Sequence, residues 1–196
     1  MSTGGRAVSA YRLGAPPLQS GSVVSFRSLV AALHAVQLRF VVIGVWGANF
    51  HASSAAAVFA TPEYDLFLPP EPDTWLEAWR VCAALGLSLR ADDDSLTTPP
   101  DRVQAEAVVT AGTQVRASVL SGPSALMVDL MPVMTAFEFE PVWDERRVFV
   151  MDGVEVPVAR LSHIIRSKAA TNRDQDRLFL STHAATLRQM LDGDED

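Results

Sequence analysis

Three carboxylates fall inside stretches that otherwise read as apolar β-strands, and they constrain this chain more than any other feature. Glu63 and Asp65 sit in Thr61-Pro62-Glu63-Tyr64-Asp65-Leu66-Phe67-Leu68, and Asp129 sits in Ala125-Leu126-Met127-Val128-Asp129-Leu130-Met131. Burying an unpaired charge costs several kcal/mol, so acids placed this way need compensation. Side chains two apart on a strand share a face, so Glu63 and Asp65 can reach one ion. Asp129 joins them if its strand lies alongside. A divalent cation answers the need, since magnesium prefers oxygen ligands and is bound through a few carboxylates.

The surrounding pattern predicts an alternation of helix and strand. From Ser25, residues Phe26, Leu29, Val30, Leu33 and Val36 recur at helical spacing. Residues 39–43 read as a buried strand that Gly44 ends, and residues 48–57 read as a helix rich in small residues. Along residues 63–68, Tyr64, Leu66 and Leu68 take one face and Glu63, Asp65 and Phe67 the other. Asp73 is the expected cap of a helix over residues 75–85, with Gly86 as its stop. Residues 91–102, with three consecutive aspartates and two prolines, read as a loop. Val108, residues 115–120 and residues 126–131 supply further strands, and residues 148–158 form a hairpin about Asp152-Gly153. Two helices close the chain, the first capped by Ser162 and the second opened by an Asn172/Gln175 capping box and running to about Leu191. The fold class expected is α/β (α+β): a mixed sheet flanked by helices, with a C-terminal helical pair. Residues 1–20 are expected to be a flexible Gly/Ser/Pro-rich arm, residues 21–191 a single domain with the helical pair at 160–191, and residues 192–196 an acidic disordered tail.

Composition limits the function classes. The formal net charge is −7, which argues against a clamp for bulk nucleic acid but not against nucleotides, because a bound metal can supply local positive charge. No apolar run is long enough to span a bilayer, no secretory signal is visible in residues 1–20, and Cys82 is the only cysteine. The expectation is a cytoplasmic protein with no membrane partner. Lys168 is the only lysine, either because a compact ammonium is needed there or because the chain otherwise favours arginine. Trp75 and Trp79, four apart on one helix, read as core or interface.

Taken in order, these motifs resemble the small bacterial nucleotidyltransferase-fold proteins, including those of abortive-infection and toxin–antitoxin systems. The matching stretches are Val42-Ile43-Gly44, His51-Ala52, Thr61-Pro62-Glu63-Tyr64-Asp65-Leu66, Val128-Asp129-Leu130 and the run Ser167-Lys168-Ala169-Ala170-Thr171-Asn172-Arg173-Asp174-Gln175-Asp176. The resemblance covers roughly residues 25–191. It implies a nucleotidyltransferase-like sheet and transfer of a nucleoside monophosphate from a nucleoside triphosphate to an acceptor, whether protein, RNA or a small molecule such as an antibiotic. It implies Glu63, Asp65 and Asp129 as catalytic residues and as ligands of Mg2+ (or Mn2+), with Asp129 assisting deprotonation of the acceptor hydroxyl. It implies that Gly44, Val45 and Gly47 hold the triphosphate, with Lys168 near it. A pairing of Arg173 with Asp176 would fix the last helices against the core. His51 is expected to be a packed histidine at a helix end or else a substrate contact. Trp46 and Asn49 sit where a base or sugar would be touched, with the core as the alternative for Trp46. The chain departs from the pattern at Val45, Glu63 and Gln175. Those departures give the alternative expectation of a catalytically degenerate binding or regulatory module, such as a toxin–antitoxin component with a protein partner.

Overall fold

The computed structural model describes residues 24–92, 94–96, 100–119 and 125–194; the expected N-terminal arm lies outside them. Among the described residues, eight strands form one mixed sheet: β1 (Val41–Ile43), β2 (Tyr64–Phe67), β3 (Ser88–Ala91), β4 (Asp94–Ser95), β5 (Val115–Val119), β6 (Leu126–Met131), β7 (Arg147–Met151) and β8 (Val154–Val158). Their spatial order is β4-β3-β5-β6-β2-β1-β8-β7. The β2–β6 and β1–β8 pairs are parallel and the others antiparallel. The mixed α/β class expected from the sequence is the one observed.

Strand alternation sends two apolar sets to opposite faces. Val42, Leu66, Leu68, Val115, Ala117, Val128 and Leu130 pack into the larger core. That core is roofed by α1 (Phe26–Ala35), α3 (Pro72–Ala84) and α4 (Arg102–Ala111). Trp75 and Trp79 are fully buried there and meet edge to face, 6.2 Å between ring centroids. Val41, Ile43 and Phe67 point the other way, into a second core with α5 (Phe139–Asp144), α6 (Leu161–Thr171) and α8 (Ala184–Asp194). Between α6 and α8 runs α7 (Asp174–Thr182). The second face is covered only in part, and the uncovered end is where β2 and β6 carry their acids.

Several local expectations shift. The helix after β1 is α2 (Gly44–Phe50), so it opens on Gly44 itself, and only a 3₁₀ turn (Ala55–Ala57) follows in the stretch expected to be helical. Pro72 takes the first position of α3 with Glu71 as the cap, a place where proline's missing N–H costs nothing, so Asp73 lies inside the first turn. Val108 belongs to a helix and not a strand: Asp101 caps α4 by accepting from the Gln104 N–H at 2.8 Å. Arg160 replaces Ser162 as the cap of α6. Asn172 ends α6 in the left-handed region at φ 54°, which asparagine tolerates, and the second closing helix is divided into α7 and α8. The last helix continues to Asp194, past the expected end near Leu191. The hairpin about Asp152-Gly153 forms as expected between β7 and β8. No helix among the described residues is long and apolar enough to cross a membrane.

One side chain holds the connection from α2 back to the sheet. Buried Asn49 donates from Nδ2 to the Phe59 carbonyl at 2.9 Å and accepts from the Phe59 N–H at 2.7 Å. Asn49 is therefore a clasp for the loop that delivers Glu63, not a base or sugar contact. Asn49→Ala leaves both Phe59 groups buried without partners. It is expected to cost about 2–6 kcal/mol at roughly 1–3 kcal/mol per orphaned group, read from the urea midpoint.

Candidate functional site

The strand registers build the site. β6 lies parallel to β2 with Asp129 opposite Asp65, and β5 lies antiparallel to β6 with Arg116 opposite Asp129. Arg116, Asp129 and Asp65 therefore form a row across three adjacent strands, all on the partly uncovered face. Asp65 is in turn opposite Ile43, the last residue of β1 before Gly44. Side chains directly opposite on neighbouring strands have Cβ atoms about 5 Å apart, close enough for direct charge contact.

Arg116 grips Asp129 with a two-pronged fork: Nε donates to Oδ1 at 2.8 Å and Nη2 to Oδ2 at 2.7 Å. The same Nη2 donates to Glu63 Oε2 at 3.0 Å. The Asp129 side chain is only 4% exposed, so this charge-assisted fork is what makes its burial tolerable. The carboxylate in return raises the guanidinium's pKa, through its hydrogen bonds first and its charge second.

Asp65 has no such help. It makes no hydrogen bond or ion pair among the described residues. Burial, and then the charges of Asp129 and Glu63, push its pKa from an ordinary 3.8 up to about 7, with Lys168 and Arg116 pulling weakly the other way. Gly44 presses on it from the side. With φ at +65°, a Cβ at Gly44 would stand 2.7 Å from Asp65 Cγ and would overlap Oδ2. Glycine is needed there both for its backbone and for the space its missing side chain leaves to the acid.

These residues line the floor of an open cleft of about 720 Å³, within the roughly 300–1,000 Å³ of small-molecule sites. Glu63, Asp65, Asp129 and Arg116 lie at its base, Gly44 and Val45 at the start of α2, and Lys168, Arg173 and Asp176 on the α6–α7 side. Of the positions expected from the sequence, Glu63, Asp65, Asp129, Gly44, Val45 and Lys168 are gathered in this one cleft. Gly47 is not. It is buried, with a Cβ-position 3.0 Å from the Val42 carbonyl and 2.9 Å from Ile164 Cδ1, so it serves the close packing of α2 on β1 and α6. Lys168 donates to Asp176 Oδ1 at 2.7 Å, so Asp176 pairs with the lysine and not with Arg173. His51 bonds the Ala159 carbonyl, and Trp46 stacks on Tyr64 with centroids 4.5 Å apart, which gives both packing roles. Cys82 is buried, its thiol pushed up to about 12.

Arg116 is the residue that sequence reasoning missed. The signal was present: Val115-Arg116-Ala117 sets one charge between two apolar residues of a strand, the same anomaly that marked Asp129. Among the described residues, no three His, Cys, Asp or Glu side chains are grouped as a ready metal cage. The donor set nonetheless suits a hard cation: two neighbouring carboxylates, Asp65 and Asp129, with a third, Glu63, at the rim.

No protein-family model matches the sequence, and no curated protein does. Among solved structures the chain is similar to the solution structure of the antibiotic-resistance factor ANT(2'')-Ia, with 13% identity and a TM-score of 0.45 over 85% of this chain and 87% of that one. A likeness of this degree concerns the course of the chain and says nothing of its chemistry.

Two outcomes follow from the geometry. Between pH 3.8 and about 7 the folded protein keeps a proton on Asp65 that the unfolded chain has released, so this group lowers stability as pH rises through that window. Asp65→Asn is therefore expected to stabilise the protein at pH 8, on the order of 4 kcal/mol at roughly 1.4 kcal/mol per pH unit, and to change little at pH 4, in urea titrations at both pH values. Gly44→Ala is expected to destabilise by about 2 kcal/mol or more, from the left-handed backbone and the overlap with Asp65, measured in the same way.

Proposed function

We propose that the cleft binds a nucleoside triphosphate and that the protein moves a nucleoside monophosphate from it to an acceptor hydroxyl. The observation that carries this reading is the Asp65–Asp129 pair, set side by side by the parallel β2–β6 register at the base of a cleft. Two adjacent carboxylates with a third at the rim are a costly arrangement unless the ligand brings cations with it. Mg2+ or Mn2+ would be held by Asp65 and Asp129, with Glu63 completing the set. The ion would neutralise phosphate charge and make the acceptor hydroxyl more acidic. In the transfer, the acceptor oxygen bonds to the α-phosphorus, the bond from that phosphorus to the bridging β-phosphate oxygen breaks, and pyrophosphate leaves. The hydroxyl proton goes to Asp129 in this assignment. Gly44 and Val45 are assigned to the phosphate side of the cleft. Lys168 and Arg173, on the α6–α7 wall, provide positive charge that a triphosphate would meet.

A second reading rests on the Arg116 fork. If the guanidinium holds Asp129 permanently, no cation reaches that carboxylate and the cleft serves binding alone, as in a degenerate regulatory module of the toxin–antitoxin kind. Titration of each nucleoside triphosphate with and without Mg2+ separates the two. Transfer predicts binding that needs Mg2+, weakens about tenfold or more in Asp65→Asn, and is followed by pyrophosphate release once an acceptor is supplied. Absence of binding to every triphosphate by the folded protein would sink it.

A further inference from the structure

Two of the three groups that the proposed function assigns to a divalent ion, Asp129 and Glu63, already share a cation. Arg116 occupies both oxygens of Asp129 and one of Glu63. A guanidinium fork and a hard metal ion compete for the same lone pairs, so one must leave before the other binds. The two partners differ in freedom. The Asp129 side chain is 4% exposed and fixed within β6, whereas that of Arg116 is 41% exposed on the cleft side. The arginine head can move without unpacking the sheet, and the aspartate cannot.

We propose that Arg116 is a built-in counter-cation: it holds Asp129 and Glu63 while the cleft is empty, competes with divalent metal for them, and transfers its fork to the triphosphate when metal and nucleotide enter together. The inference rests on reading the cleft as a metal–nucleotide site. Phosphate oxygens accept an arginine fork as carboxylates do, so the arginine loses no hydrogen-bond partners in the exchange. Its departure opens Asp129 and Glu63 to the metal at the moment the phosphates need neutralising. Metal alone must displace the arginine into water and binds weakly. Triphosphate alone meets four carboxylates in the cleft and also binds weakly. Each therefore strengthens the other, and by linkage the strengthening is reciprocal. In the free protein Arg116 is a positioning residue, and in the loaded one it touches substrate.

The test is a titration of the full chain with Mn2+ alone, following the free ion by electron paramagnetic resonance, then a repeat in the presence of a non-hydrolysable nucleoside triphosphate. Arg116→Gln is expected to bind Mn2+ about tenfold more tightly than wild type, within the range ordinary for coupled sites, and to lose the tightening that the triphosphate gives wild type. Circular dichroism establishes that the variant is folded. Arg116→Lys keeps the charge but cannot fork, and provides a second route should the glutamine variant unfold. It is expected to raise Mn2+ affinity by a smaller factor and to weaken the coupling. Unchanged or weaker Mn2+ binding in the folded variants, with wild type still binding Mg2+–triphosphate, overturns the role of Arg116 and leaves the nucleotide site standing. Tighter Mn2+ binding in Arg116→Gln, with no triphosphate bound by either protein, overturns the transfer of the fork to phosphate and the nucleotide reading with it, while the competition for the carboxylates holds.

Discussion

Everything at the cleft depends on one half-buried ion pair and on the strand register that makes it. Asp129 lies deep in β6, and a carboxylate at that depth is tolerable only because β5 delivers a guanidinium directly opposite. A slip of one residue in the β5–β6 register would send Arg116 to the other face of the sheet, into the tryptophan-lined core, and leave Asp129 without compensation. The pair thus selects the register as firmly as the apolar residues do. Val115 and Ala117 must face the larger core, and Arg116 must not.

The asymmetry of the two faces turns this sheet into a site. Helices α1, α3 and α4 close one face, while α5, α6 and α8 close only part of the other. Phe67 marks the boundary: its ring meets Phe139 at 5.3 Å, and two residues earlier on the same face Asp65 borders open space. A single strand four residues long passes from core to cleft, so the chemistry stands on a rigid base while its walls come from helix ends and loops.

Much of this was legible in the sequence because periodicity and charge placement act locally. The alternation along residues 63–68 assigned Asp65 and Leu66 to opposite faces, and the structure puts them there. The acid in Val128-Asp129-Leu130 was visible as an anomaly because its neighbours are apolar. Strand order was not legible, since no local feature states that β5 and β2 flank β6. Without that order Arg116 had no partner to suggest, and Lys168 could not be tied to Asp176. Helix boundaries moved for local reasons that pattern reading under-weights: Pro72 at a first helical position, Asp101 as a cap, Asn172 as a stop. Gly47, which reads as part of a phosphate-gripping turn, proves to be a packing residue, because the spacing of two glycines does not reveal which side of a helix each one faces.

The contact between Gly44 and Asp65 has an evolutionary consequence. The acid's carboxylate fills the space that any side chain at position 44 would need, so the two positions form one heritable unit. A lineage that keeps the acid is bound to keep the glycine, whatever its substrate becomes. Once the acid is replaced by something small, selection on the space beside it lapses and only the backbone angle still favours glycine. A relative with glycine at the one position and no acid at the other would carry a relic of the older arrangement, a fossil imprint of a charge that once stood there.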